Sequence, residues 1–136
     1  MATSLKFFTD AAAGSQAEVI SNTDPKTVYT ANATKDRMIR QMIISSDDSS
    51  DQTATIRISD GSSTVTLGKV TIPDGAGTNG TDAAVDVVAS LATVFTEVDN
   101  AGNKQLVVPA GWSVIVTMGA VTSGKSFMVA ILGAAE

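Results

Sequence analysis

Apolar and polar residues alternate along most of this chain with the period of two that a half-buried β-strand requires. The cleanest stretch is residues 53–59, where Ala54, Ile56 and Ile58 face one way and Thr55, Arg57 and Ser59 the other. Asp60-Gly61 is a hairpin turn signal, and residues 64–72 return as the partner strand. Within that strand Val65 and Leu67 share a face, Val70 and Ile72 fall out of phase, and Gly68 marks the expected bulge. Residues 27–30 are a short β-branched run. In residues 37–45, Met38, Met42 and Ile44 lie on one face and Ile39 and Ile43 on the other, which predicts a strand covered on both sides. Residues 106–108 form another strand, ended by Pro109-Ala110-Gly111, and residues 113–118 and 127–132 are expected to pair as a closing hairpin.

Two stretches break the alternation. Residues 72–82 are a Gly-rich loop, after which Asp82 is placed to cap a helix over residues 83–92, with Val85, Val88 and Leu91 or Ala92 as its apolar stripe. Residues 1–25 place Phe7 and Phe8 ahead of Ala-, Gly- and Ser-rich sequence, and Ser15-x-x-Glu18 has the form of a capping box that permits one helical turn. Two readings of this segment stand: a first strand plus loop, or an arm that docks on a neighbour through Phe7 and Phe8. The expected organisation is an N-terminal arm or first-strand segment over residues 1–25 and a β-sandwich over residues 26–136. The fold class is all-β, a jelly-roll-like sandwich of seven or eight strands with one short helical insert.

Composition narrows the function. A chain of 136 residues fits one domain. Its 43% hydrophobic content leans on Ala and Val, with six aromatics in all. A core of small side chains gains from the area an interface adds, so a homo-oligomer, a trimer foremost, is expected. Nine basic residues, scattered within a net charge of −5, form no patch to neutralise phosphates, so nucleic acid is not expected as a partner. The absence of Cys removes disulfides and thiolate metal sites, and the absence of His removes the commonest general base and zinc ligand. The first residues carry no apolar signal region and no run approaches 18 apolar residues, so neither a secretory signal nor a membrane span is expected. The sequons at Asn32 and Asn79 read as chance.

Two motifs suggest nucleotide chemistry and are better read as turns. Gly75-Ala-Gly-Thr-Asn-Gly80 fits the dinucleotide fingerprint, but Asp74 and Asp82 flank the pyrophosphate position and no alternating β/α pattern follows. Residues 119–126, Gly-Ala-Val-Thr-Ser-Gly-Lys-Ser, fit the P-loop pattern, yet only ten residues follow, too few for its helix and the parallel sheet. They are expected to form a hairpin loop with Lys125 solvated. Asp47-Asp48-Ser49-Ser50-Asp51 lacks EF-hand spacing and reads as a solvated loop, and residues 99–103 as a turn. Trp112 reads as a packing residue rather than a sugar platform. No catalytic, cofactor or metal residues are assigned, and the chain is not expected to be an enzyme.

Taken together, Val28-Tyr29-Thr30, the strand from Arg37 to Ile44, Ala54-Thr55-Ile56-Arg57-Ile58, Leu106-Val107-Val108-Pro109-Ala110-Gly111-Trp112-Ser113-Val114 and a terminal strand resemble the small β-sandwich virion proteins of tailed bacteriophages. The likeness is to capsid decoration, or cement, proteins in particular, and it covers most of residues 25–132. It implies a trimeric protein on the capsid surface, made in a bacterial cytoplasm, that binds the major capsid protein and braces its subunits. A tail, neck or fibre module binding a host-surface glycan is the other reading. Phe7 and Phe8 are the candidate partner-binding residues.

Overall fold

Among the described residues, which are 16–91, 95–98, 102 and 104–134 of a computed structural model, the alternating pattern becomes ten strands and one helical turn. The strands are β1 (Gln16–Ile20), β2 (Lys26–Thr30), β3 (Arg37–Ser46), β4 (Gln52–Ser59), β5 (Thr64–Ile72), β6 (Val85–Asp86), β7 (Thr96–Val98), β8 (Lys104–Val108), β9 (Ser113–Met118) and β10 (Phe127–Ala134), with α1 (Val87–Ser90) after β6. A six-stranded sheet runs β1-β10-β3-β8-β7, with β6 also paired to β3, and a four-stranded sheet runs β2-β9-β4-β5. All pairings are antiparallel. The two sheets form a sandwich around one apolar core that includes Tyr29, Ile39, Met42, Ile56, Ile72, Leu106, Met118, Phe127 and Ile131.

The β4–β5 hairpin follows the sequence pattern. Ala54, Ile56 and Ile58 are fully buried, and Arg57 lies on the opposite face. Asp60 closes the turn by accepting from the Ser62 and Ser63 amides at 2.8 and 2.7 Å, and Gly61 takes the positive φ of +99° that the turn demands. The bulge is present, but its extra residue is Leu67: Ile56 pairs with Gly68 and Arg57 with Thr66. Leu67 is therefore buried while Val65 is exposed, so the two do not share an environment. Gly68 has a packing reason as well, since a Cβ there would come within 3.1 Å of Leu91 Cδ2.

Four expectations are corrected. The closing hairpin does not form, because β9 is hydrogen-bonded on both edges, to β2 and β4. β10 crosses to the other sheet and inserts between β1 and β3. The helix over residues 83–92 shrinks to one turn, because β3 has a free edge opposite Val85 and Asp86, and these pair with Ile44 and Ile43. Asp86 rather than Asp82 precedes the helix, and Val87, Val88 and Leu91 are buried between the sheets. The turn allowed by Ser15-x-x-Glu18 is replaced by β1, which pairs along its whole length with β10. In β3 a bulge at Arg40 reverses the phase, as Gly133 pairs with Ile39 and Leu132 with Gln41. Ile39, Met42 and Ile44 consequently share the core face, and Met38 and Ile43 turn outward, half-buried.

Candidate functional site

The two nucleotide-like loops meet at one end of the sandwich, and both are tied to the acidic loop. Asp48, expected in a solvated loop, is buried. Its carboxylate accepts from the Thr122 amide at 2.8 Å, the Thr122 hydroxyl at 2.7 Å and the Ser50 amide at 3.0 Å. Burial pushes this carboxyl up, but the Thr122 amide and hydroxyl, the Ser50 amide and the Gln52 side chain outweigh it and hold the group below the ordinary aspartate value. Asp47 Oδ1 accepts from the Ser126 amide at 2.8 Å, and Asp51 Oδ1 from the Asp74 amide at 2.9 Å.

A P-loop offers its amides to phosphate oxygens. Here the Thr122 and Ser126 amides already point at carboxylates of the same chain. The second loop is closed in the same way. The Gly75 amide donates to the Asp48 carbonyl, Gly77 to the Asp82 carbonyl, and Thr78 and Asn79 to the Gly75 carbonyl. The 119–126 segment is also not a hairpin loop, since it carries the chain between sheets, and Lys125 is half-buried in it. Both motifs are thus connectors held by internal hydrogen bonds. Trp112 is half-buried too, with its ring centroid 5.7 Å from that of Phe95 in a tilted contact.

The outer faces of the two sheets differ sharply in chemistry. On the four-stranded sheet, Thr53, Thr55, Arg57, Thr66, Lys69, Thr71 and Thr117 stand outward with one half-buried apolar residue, Ile115, beside Arg57, and Arg57 donates to the Thr66 and Thr117 hydroxyls at 3.3 Å each. That is the polar face water expects. The six-stranded sheet presents Val19 paired with Met128, each 54% exposed. The next row is Ala17, Ala130, Ile43 and Asp86, paired in that order across β1, β10, β3 and β6. Paired residues share a face and touch their lateral neighbours, so Val19, Met128, Ala17, Ala130 and Ile43 make an apolar strip across β1, β10 and β3, bounded by Ser45 beside Met128 and by Asp86 beside Ile43. Such surfaces on soluble proteins mark sites of contact with another apolar body.

A cleft of about 550 Å³ borders this surface. β8 pairs with β3 at residues 37–39 and β6 pairs with it at residues 43–44, so the bulged middle of β3 has no strand on that edge. Arg40, Gln41, Asp86, Lys104, Gln105 and Leu132 line the gap. Lys104 Nζ donates to the Leu91 carbonyl. Asp86 Oδ1 is shielded from solvent and meets no donor among the described residues. An acceptor left so costs on the order of 1–3 kcal/mol. Among the described residues, no group of three or more Asp or Glu side chains could hold a metal ion.

Phe7 and Phe8, the partner-binding residues suggested by the sequence, lie outside the described residues. The surface of Val19, Met128 and Ala130 and the cleft around Asp86 were missed in the sequence. The signal was there in part: Met128 and Ala130 alternate with Phe127, Val129 and Ile131, so one apolar run holds two apolar faces. No protein-family model matches the chain, and no curated protein is similar to it in sequence.

Proposed function

We propose that this chain is a structural virion protein, a decoration or cement protein that binds the outer lattice of a tailed-phage capsid and braces neighbouring coat subunits. The observation that carries the reading is the apolar outer face of the six-stranded sheet, next to a cleft with an unanswered carboxylate oxygen. A solvated face would repeat the Thr-rich chemistry of the other sheet. This one suits a surface that is covered in an assembly.

The strand order supports a jelly roll as the finer fold. Among the eight main strands the chain changes sheet at every connection except the β4–β5 hairpin, giving β1-β10-β3-β8 against β2-β9-β4-β5. Eight strands wound as two Greek keys are the architecture of many viral capsid domains. The lean core supports an oligomer, with the trimer as the proposed form.

Co-sedimentation tests the function. Full-length protein is mixed with particles stripped of it, and the bound fraction is measured after sedimentation. Saturable binding to the particles is expected, and Met128→Glu should reduce it strongly while leaving the fold intact. Absence of binding, with retention on a host-glycan array, would replace the cement reading by the receptor-binding one.

A further inference from the structure

The cleft beside the apolar strip has a charge of its own, and its lining follows from where a ladder stops. β3 and β8 pair from Arg37 opposite Val108 to Ile39 opposite Leu106, and then part. Continued by one and two residues, that register would set Arg40 opposite Gln105 and Gln41 opposite Lys104. A bulge bends the strand that carries it, and β3 has its bulge at Arg40. The four residues therefore line an opening in the sheet instead of pairing across it.

Two of these side chains are cationic, and neither meets an anion. Among the described residues, the Arg40 side chain makes no ion pair and no hydrogen bond. The Lys104 ammonium uses one of its three N–H groups on a neutral acceptor, the Leu91 carbonyl. Asp86 is the single acidic residue in the described lining, and it pairs with neither cation. Two cations against one carboxylate leave the lining with one positive charge, in a chain whose net charge is −5. A cleft lined by an excess of one sign concentrates the field that draws in the opposite one.

The lining also selects among anions. One net positive charge answers one carboxylate, whereas a phosphate ester, at about −1.5 to −2, would leave the site overcharged. A guanidinium offers a carboxylate two parallel N–H donors. The volume of about 550 Å³ exceeds what a carboxyl group fills, and Leu132 and Ala89 give the remainder an apolar wall.

We propose that this cleft binds a carboxylate carried on a short aliphatic stem. The Arg40 guanidinium forks the carboxylate, Lys104 supplies the second charge, and Leu132 and Ala89 pack against the stem. Both a glutamate side chain of a partner protein and a free short-chain acid have this chemistry. The proposal goes beyond the cement reading and does not depend on it, since it concerns the chain alone in solution.

Nuclear magnetic resonance titration of the full-length chain at low ionic strength tests it. The probes are glutamate capped at both ends, which keeps only its side-chain carboxylate, the equally capped glutamine, butyrate and inorganic phosphate. Capped glutamate should shift the Arg40, Gln41 and Lys104 resonances saturably, with a Kd of about 1 mM for so small a ligand. Capped glutamine should leave them in place. Butyrate identifies the source: tighter binding than capped glutamate assigns a free acid, and weaker binding assigns the side chain of a partner. Arg40→Gln should weaken binding by about tenfold or more, with a melting temperature within a few degrees of wild type, because Arg40 has no partner to lose. Arg40→Lys, which keeps the charge without the fork, should weaken it less, and Lys104→Gln should weaken it several-fold. Should Arg40→Gln fail to fold, Arg40→Lys and Lys104→Gln carry the same comparison. Unshifted resonances at roughly 50 mM capped glutamate, fifty times the expected Kd, would overturn the proposal. So would equal binding of capped glutamine, or binding undiminished in these variants. Phosphate bound more tightly than either carboxylate would overturn the assignment of the anion. Cleft binding by a chain that ignores stripped particles refutes the cement function alone, and particle binding by a chain whose cleft takes no carboxylate refutes this proposal alone.

Discussion

Asp48 connects three loops through one carboxylate. Its side chain takes the Thr122 amide and hydroxyl and the Ser50 amide, and its carbonyl takes the Gly75 amide. Asp48→Ala would remove the three hydrogen bonds that its carboxylate accepts from Thr122 and Ser50, at a cost of about 1–3 kcal/mol. Urea unfolding of the two proteins at neutral pH checks this. The pH dependence has a definite sign. The folded-state pKa lies below the unfolded value, so the contribution is complete above the unfolded value of about 3.9 and is lost as pH falls through the folded one. The wild-type denaturation midpoint should drop below about pH 4, and Asp48→Asn should flatten that drop. Asp60 acts with the same sign through the Ser63 and Ser62 amides, but it is exposed and adds little. The same hydrogen bonds bear on nucleotides. With the Thr122 and Ser126 amides committed to Asp48 and Asp47, calorimetry with ATP–Mg²⁺ at millimolar concentration should record no binding heat. Saturable heat abolished by Lys125→Ala would show that the loop opens to phosphate.

At the scale of elements, the sequence pattern was readable where each strand has one wet face and one dry face. β4 is the clear case, since Ile56 and Ile58 are buried and Arg57 reaches threonine hydroxyls on the outside. Ile56→Ala should cost about 2–4 kcal/mol and Arg57→Ala under about 1 kcal/mol, measured by chemical denaturation. Reversed costs would place the register one residue off. Legibility failed at β3, β9 and β10 for a common reason, which is that both faces are apolar or the partner is distant. Periodicity tells which residues share a face and says nothing about which strand lies alongside, so β9 and β10 looked like a hairpin although they sit in different sheets. The one-residue bulge at Arg40 also leaves no mark in composition, yet it exchanges the faces of Met38 and Ile39. β1 shows the consequence for truncation. Ile20 is 2% exposed and β1 pairs with β10 over five residues, so removal of residues 1–20 deletes part of the core. Removal of residues 1–15 should leave the melting temperature of the isolated fold within a few degrees of wild type, whereas removal of 1–20 should lower it markedly, as a thermal melt will show.

The whole molecule is asymmetric in a way no single element reveals. One sheet presents mostly threonines and charges to water, the other carries a strip of valine, methionine, alanine and isoleucine bordered by Ser45 and Asp86, and the nucleotide-like loops close the end of the sandwich with internal carboxylates. The apolar face was not legible in the sequence, because it takes the pairing of β1, β10 and β3 to bring Val19, Met128, Ala130 and Ile43 together. A monomer with that face wet would be prone to non-specific association. An oligomer that covers it is the alternative, and light scattering at micromolar concentration should return a multiple of 13.9 kDa, three copies foremost. Val19→Lys with Met128→Glu changes only exposed side chains, so folding should hold within about 1 kcal/mol by denaturation. The scattering mass of that variant should fall to the monomer value. A wild-type monomer at this concentration, or a double variant that keeps its mass, would remove the apolar face from the assembly and leave the cleft beside Asp86 as the surface still to be explained.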